Sequence, residues 1–116
     1  MKVLFIINDP PYGTERCLNA LRLALALLKG GDKPEISVFL MADAVVCAKA
    51  GQKTPDGFYN LERMIKAVVH RADVVLCGTC MDARGIDDNE LITGAKRGTM
   101  PQLAEFTLAA DKVLVF

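Results

Sequence analysis

The sequence predicts an α/β fold in which a parallel sheet carries helices on both faces. Three observations lead there: short, continuous apolar runs rich in valine, isoleucine and phenylalanine; segments of helical periodicity between them; and turn residues at most of the junctions. Lys2 to Ile7 is the first apolar run, and Asn8 to Gly13 is turn chemistry. Thr14 is placed to cap a helix with Glu15 in its first turn. Leu18, Leu21, Leu25 and Leu28 follow at helical spacing until Gly30 and Gly31 stop it. Leu23, Ala24, Ala26 and Leu27 extend the apolar surface almost round this helix, so part of it is expected to meet another subunit.

Glu35 to Met41, "EISVFLM", reads as the second strand, ending at Ala42-Asp43, with a short helical stretch over Ala44 to Ala50. Gly51 to Gly57 is a loop, and Asn60 caps a helix with Leu61, Met64, Ile65 and Val68 on one face. Ala72 to Leu76 is the next strand. Asp87 with Glu90 resembles a capping box for a short helix ending near Gly94. Ala95 to Arg97 is a weak strand, Pro101 suits the first turn of a helix carrying Leu103, Phe106 and Ala110, and Lys112 to Phe116 is the last strand. The strands of such a sheet end at one edge, where ligand and catalytic groups gather. Asn8, Asp9, Asp43 and Cys77 are therefore expected around one crevice, with Tyr12, Cys80 and Arg84 in the following loops.

The chain has 116 residues, the size of a single domain spanning 1–116. Its 14 basic and 14 acidic side chains cancel, which removes net charge as a reason for direct nucleic-acid or membrane binding. The apolar N-terminal run is too short for a signal-peptide core or a membrane span, so the expected location is cytoplasmic. Four cysteines are few for a disulfide scaffold, and cytosol keeps thiols reduced. "NDPPYGTE" after the first strand has neither GxGxxG nor GKS/T, which argues against a dinucleotide-binding or P-loop enzyme.

The chemistry concentrates in "VVLCGTC", Val74 to Cys80. A structural zinc site needs four ligands, whereas here there is one CxxC and one histidine, His70, on a helix end. Met81 after Cys80 excludes a c-type haem attachment. A thioredoxin-like couple opens a long helix, and Asp82-Ala83-Arg84-Gly85 intervenes before a short one. Burial as small core residues is the better reading for Cys17 and Cys47. Cys77 differs: it ends a strand at the active edge and precedes a glycine that lets backbone N–H groups approach the sulfur. An ordinary thiol is only about 3% thiolate at pH 7, and about 2 kcal/mol of stabilisation would ionise half of it. Loop N–H groups, a helix N-terminus and Arg84 are the expected sources, so a lowered Cys77 pKa is anticipated.

"PYGTE", "FLMADAV", "GQK", "LCGTCMDARGI" and "GTMPQLAEFTLAADKVLVF" together resemble the DsrE/DsrF-like family of small sulfur-relay proteins, and the chain is especially similar to its YchN-like branch. The resemblance implies a three-layer α/β/α sandwich with a five-stranded parallel sheet, Rossmann or flavodoxin-like in kind, assembled as a homotrimer or homohexamer. It implies a persulfide on Cys77, by its spacing to Arg84-Gly85; Cys80 departs from the sulfur-carrying members but recurs in the YchN-like branch, and is read beside the resemblance as a resolving or modulating thiol, with Arg84 a thiolate stabiliser. Asn8, Asp9, Tyr12 and Asp43 would shape the pocket, and sulfur donor and acceptor proteins would be the partners. No cofactor and no metal are expected. Two other readings stand beside this one: a thiol–disulfide redox module of Cys77 and Cys80, and a non-catalytic ligand-binding or assembly protein.

Overall fold

A computed structural model describes residues 1–116. Its five strands are β1 (Lys2–Ile7), β2 (Glu35–Leu40), β3 (Asp73–Cys77), β4 (Ala95–Gly98) and β5 (Lys112–Val115), all parallel in the order β4-β3-β2-β1-β5. The helices are α1 (Arg16–Lys29), α2 (Leu61–Val69), α3 (Gly78–Ala83) and α4 (Met100–Ala109), with 3-10 segments at Ala42–Ala48 and Asp88–Glu90. Three successive connections step the chain one way across the sheet. The fourth crosses back to place β5 beside β1, and right-handed crossovers then put α4 on the face opposite α1 and α2.

Continuous apolar strands are what burial on two faces requires. Val3, Leu4, Phe5 and Ile7 of β1 and Val38, Phe39 and Leu40 of β2 are all buried. On the α4 side, Phe106 meets Phe39 edge-on at 6.4 Å and 81°. Among the sequence expectations, Asn60 does cap α2, its side chain accepting the Arg63 N–H at 3.2 Å. Thr14 does not cap α1: its hydroxyl donates to Asp9 Oδ2 at 3.0 Å, and α1 begins without a side-chain cap. The helical stretch after β2 starts two residues early, at Ala42, as a 3-10 segment. Asp87 forms no side-chain cap, and its helix shrinks to the turn Asp88–Glu90. The weak strand at Ala95 is present as the edge strand β4, with Gly98 opposite Cys77. A side chain on Gly98 would run into Val75 and the Gln102 amide, so only glycine lets β4 close on the sheet.

The first turn of α2 holds the buried carboxylate of Glu62. Burial opposes its ionisation, but the Lys66 ammonium at 3.1 Å and the Gln52 N–H at 2.8 Å outweigh that cost and lower its pKa. A carboxylate lowered in the folded state stabilises the protein above its unfolded pKa and loses that contribution as pH falls through the folded value. Glu62→Gln is therefore expected to cost about 1 kcal/mol at neutral pH and to flatten the acid limb of stability, read by urea unfolding across pH. An acid limb identical to that of the parent would contradict this.

Candidate functional site

Cys77 closes β3 and occupies the N-cap position of α3. Its backbone leaves helical geometry there, and its sulfur accepts the Cys80 N–H at 3.3 Å. The CxxC therefore opens a helix, where the sequence predicts one only after Gly85; the helix is a single short one, ending at Ala83. Leu76, Gly78 and Met81 are buried around the thiol, and Cys77 itself is 8% exposed.

The Cys80 sulfur accepts the Ala42 N–H at 3.2 Å. Ala42 has φ 50°, the one non-glycine residue in the left-handed region, a conformation costing a residue with a side chain about 1–2 kcal/mol. Asp43 follows and binds Arg84: Nε and Nη2 both lie 2.9 Å from Asp43 Oδ1, while Nη1 donates to the Cys80 carbonyl at 3.1 Å. Arg84 thus ties α3 to the 3-10 segment beside Cys80, and its guanidinium is engaged there instead of against the Cys77 sulfur as expected.

The direction of the Cys77 pKa is also reversed. Burial raises it, the Cys80 thiol raises it further, and the N–H groups of Cys80 and Thr79 only partly offset them. A sulfur walled in by apolar side chains loses more from desolvation than two backbone dipoles return.

Asp43 joins the thiol pair through Arg84, while the other expected pocket residues bond elsewhere. Asn8 donates its amide to the Phe116 carbonyl at 3.3 Å, and Asp9 accepts from Thr14 and faces Arg16 at 3.7 Å. Tyr12 donates to Gln52 Oε1 at 2.8 Å, accepts the Leu61 N–H at 3.1 Å and packs against Tyr59. The reason is spacing: β1 lies two strands from β3, about 10 Å across the sheet. These residues share the edge but form a neighbouring cluster. His70 is exposed at the end of α2, and no group of three or more metal-ligating side chains forms.

Arg97, which nothing in the sequence singles out, also reaches the site. From β4 its Nη1 donates to the Gly78 carbonyl at 3.0 Å and to Asp82 at 2.9 Å, and Nε holds Asp88 at 2.6 Å. It braces the first turn of α3 from the side opposite Arg84. An arginine in a four-residue edge strand carries no signal of that role, which depends on β4 pairing with β3 in this register. A side chain on Gly78 would crowd the Arg97 guanidinium and the Gly98 carbonyl.

An all-parallel α/β sheet with a thiol that ends β3 and caps the following short helix defines a small cysteine protein of the α/β sandwich class. The chain belongs to the DsrE/DsrF-like family, whose sequence profile matches residues 1–116. It is 43% identical to Protein YchN of Escherichia coli over 99% of this chain and 98% of that one. The crystal structure of the E. coli YchN protein superposes with a TM-score of 0.93 over 99% and 98% of the two chains. The uncharacterized protein MJ0989 of Methanocaldococcus jannaschii is 41% identical over the full length of both. More distantly, Sulfurtransferase TusD of Pectobacterium atrosepticum is 28% identical over 96% of this chain and 95% of that one. The α/β sandwich and the sulfur-relay relationship thus rest on whole-chain similarity. No helix is long and apolar enough to cross a membrane.

Proposed function

We propose that this protein is a cytoplasmic sulfur carrier in which Cys77 takes up sulfane sulfur as a persulfide and passes it on. The observation that carries the reading is the Cys77 thiol at the strand-to-helix turn, its sulfur bonded to the Cys80 N–H. Kinship with a sulfurtransferase supports the chemistry. In loading, the Cys77 thiolate attacks the outer sulfur of a donor persulfide, the S–S bond breaks and the donor thiolate leaves. In delivery, an acceptor thiolate attacks the outer sulfur of the Cys77 persulfide and Cys77 departs as thiolate.

A raised pKa tunes this chemistry instead of abolishing it. Each tenfold loss of thiolate is partly returned, by about threefold, because a more basic thiolate is a better nucleophile. The unloaded protein is thereby kept from indiscriminate reaction, and a donor must dock to draw sulfur into the site. Cys80 is the resolving thiol: attacking the Cys77 sulfur, it would expel hydrosulfide and leave a Cys77–Cys80 disulfide. Arg84 acts through position, holding the Cys80 carbonyl and Asp43 together.

The assembly is a homotrimer or homohexamer, and donor and acceptor proteins are its other partners. Supporting self-association, Leu108 and Val115 are 89% and 65% exposed, and a groove of about 870 Å³ runs between α1 and the β1–β5 edge past Leu23, Leu27 and Leu114. Exposed apolar area of this kind marks interaction surfaces.

The alternative, a dithiol–disulfide module, draws on the Cys77–Cys80 hydrogen bonding. Cys80→Ser separates the two. A carrier still gains one sulfur from a cysteine desulfurase and cysteine, seen in the intact mass, and keeps it longer because no resolving thiol remains. A redox module loses its two-electron midpoint potential in this variant and takes up no sulfur; that pair of results would overturn the carrier reading.

A further inference from the structure

Cys17 and Cys47 lie outside the Cys77 site, bordering the polar cluster at the edge through Asp9 and Gln52, and they are more than two small residues filling a core. Cys17 lies in the first turn of α1 and Cys47 near the end of the 3-10 segment Ala42–Ala48. Their sulfurs stand 3.0 Å apart, both fully buried, with Cys47 Sγ 3.8 Å from the Asp9 carbonyl. That separation is shorter than the ~3.5–4.0 Å of ordinary carbon contacts. Closing it by about 1 Å reaches the S–S bond length. Two thiolates on one tetrahedral zinc, each at about 2.3 Å, would sit farther apart, about 3.75 Å. No third histidine, cysteine or carboxylate completes a metal site here.

We propose that Cys17 and Cys47 form a second, buried dithiol that hydrogen peroxide, a small two-electron oxidant, converts to a disulfide, pinning α1 to the Ala42–Ala48 segment. In the first step one thiol gives up its proton and its thiolate attacks a peroxide oxygen. The O–O bond breaks, and sulfenic acid and hydroxide form, the hydroxide taking up the proton as water. The second thiol then attacks the sulfenic sulfur, the S–O bond breaks with loss of a second water, and the S–S bond forms. Two thiols are oxidised and one peroxide is reduced to two waters.

Burial selects the oxidant, because a bulky disulfide such as oxidised glutathione has no access to fully covered sulfurs. Donation of the Cys47 S–H to the Cys17 sulfur, together with burial, pushes the Cys47 thiol up, so the reaction is slow and answers sustained oxidant. The pinned segment starts at Ala42 and Asp43, which hold Cys80 and Arg84. The bond would therefore stiffen the wall of the Cys77 site. The inference stands on the Cys17–Cys47 geometry and does not depend on sulfur transfer.

The test is peroxide treatment of the wild-type protein and of the Cys77→Ser/Cys80→Ser double variant, followed by denaturing alkylation, intact mass and peptide mapping. The expected result in both is a linked pair of peptides carrying Cys17 and Cys47, a loss of two hydrogens in the double variant, and reversal by dithiothreitol. Because the bond closes a loop with a sequence separation of 30 residues, oxidation is expected to raise the melting temperature by about 10 °C. Cys17→Ala should abolish both changes. Peroxide that leaves both thiols open to alkylation, or carries either to sulfinic acid without a linked peptide, overturns the proposal. A linked pair with an unchanged melting temperature overturns the pinning of α1.

Discussion

Cys77→Ser is expected to abolish sulfur loading, lowering it by about a thousandfold or more, to the background of a protein without a reactive thiol. The variant is informative because it should fold. Cys77 sits at the N-cap of α3, where its side chain accepts a backbone N–H, and serine is among the best residues for that position. The hydroxyl can take over the bond from Cys80 N–H, so the cost in stability is expected to stay within about 1 kcal/mol. What disappears is the nucleophile. The check is intact mass after incubation with a cysteine desulfurase and cysteine, beside a melting curve. Undiminished loading in a folded Cys77→Ser protein would remove Cys77 from the chemistry.

The second large effect is on the fold. Phe39 is fully buried on β2, paired with Ile6 on one side and Val75 on the other, with its ring against the edge of Phe106. Truncation to alanine removes an aromatic ring from the middle strand of the sheet and opens a cavity under α4. A loss of about 3–5 kcal/mol is expected, a large share of the 5–15 kcal/mol that holds a domain together. Urea unfolding measures it directly. Part of the loss, about 0.5–1.5 kcal/mol, belongs to the ring pair and should vanish in the Phe106→Ala background. A total below about 1 kcal/mol would mean that α4 collapses onto the space at no cost, contrary to the packing.

The strands were legible because a parallel strand buried on both faces must be apolar throughout, as in Lys2–Ile7 and Glu35–Leu40. The short α3 was obscured by its residues: Gly78, Thr79 and Cys80 are weak helix formers, and the helix exists because Cys77 caps it and Arg84 and Arg97 brace it. Thr14 does not cap because α1 starts at Arg16 with Glu15 at the cap position, which leaves Thr14 one residue outside the helix, its hydroxyl donating to Asp9. At the site, Cys77 was singled out by its place at a strand end. The environment of its sulfur was not, because it depends on contacts far along the chain. Arg84 was drawn away by Asp43, 41 residues distant, and burial by residues of several elements turned the pKa upward instead of downward. The left-handed Ala42 gave no sequence signal, since alanine does not advertise that conformation.

Peptide mapping of the wild-type protein after exposure to a cysteine desulfurase and cysteine locates transferred sulfur directly. One added sulfur is expected on the peptide containing Cys77 and Cys80, with fragmentation placing it on Cys77. Sulfur carried on Cys80, or none at all from a donor that loads other carriers, would contradict it.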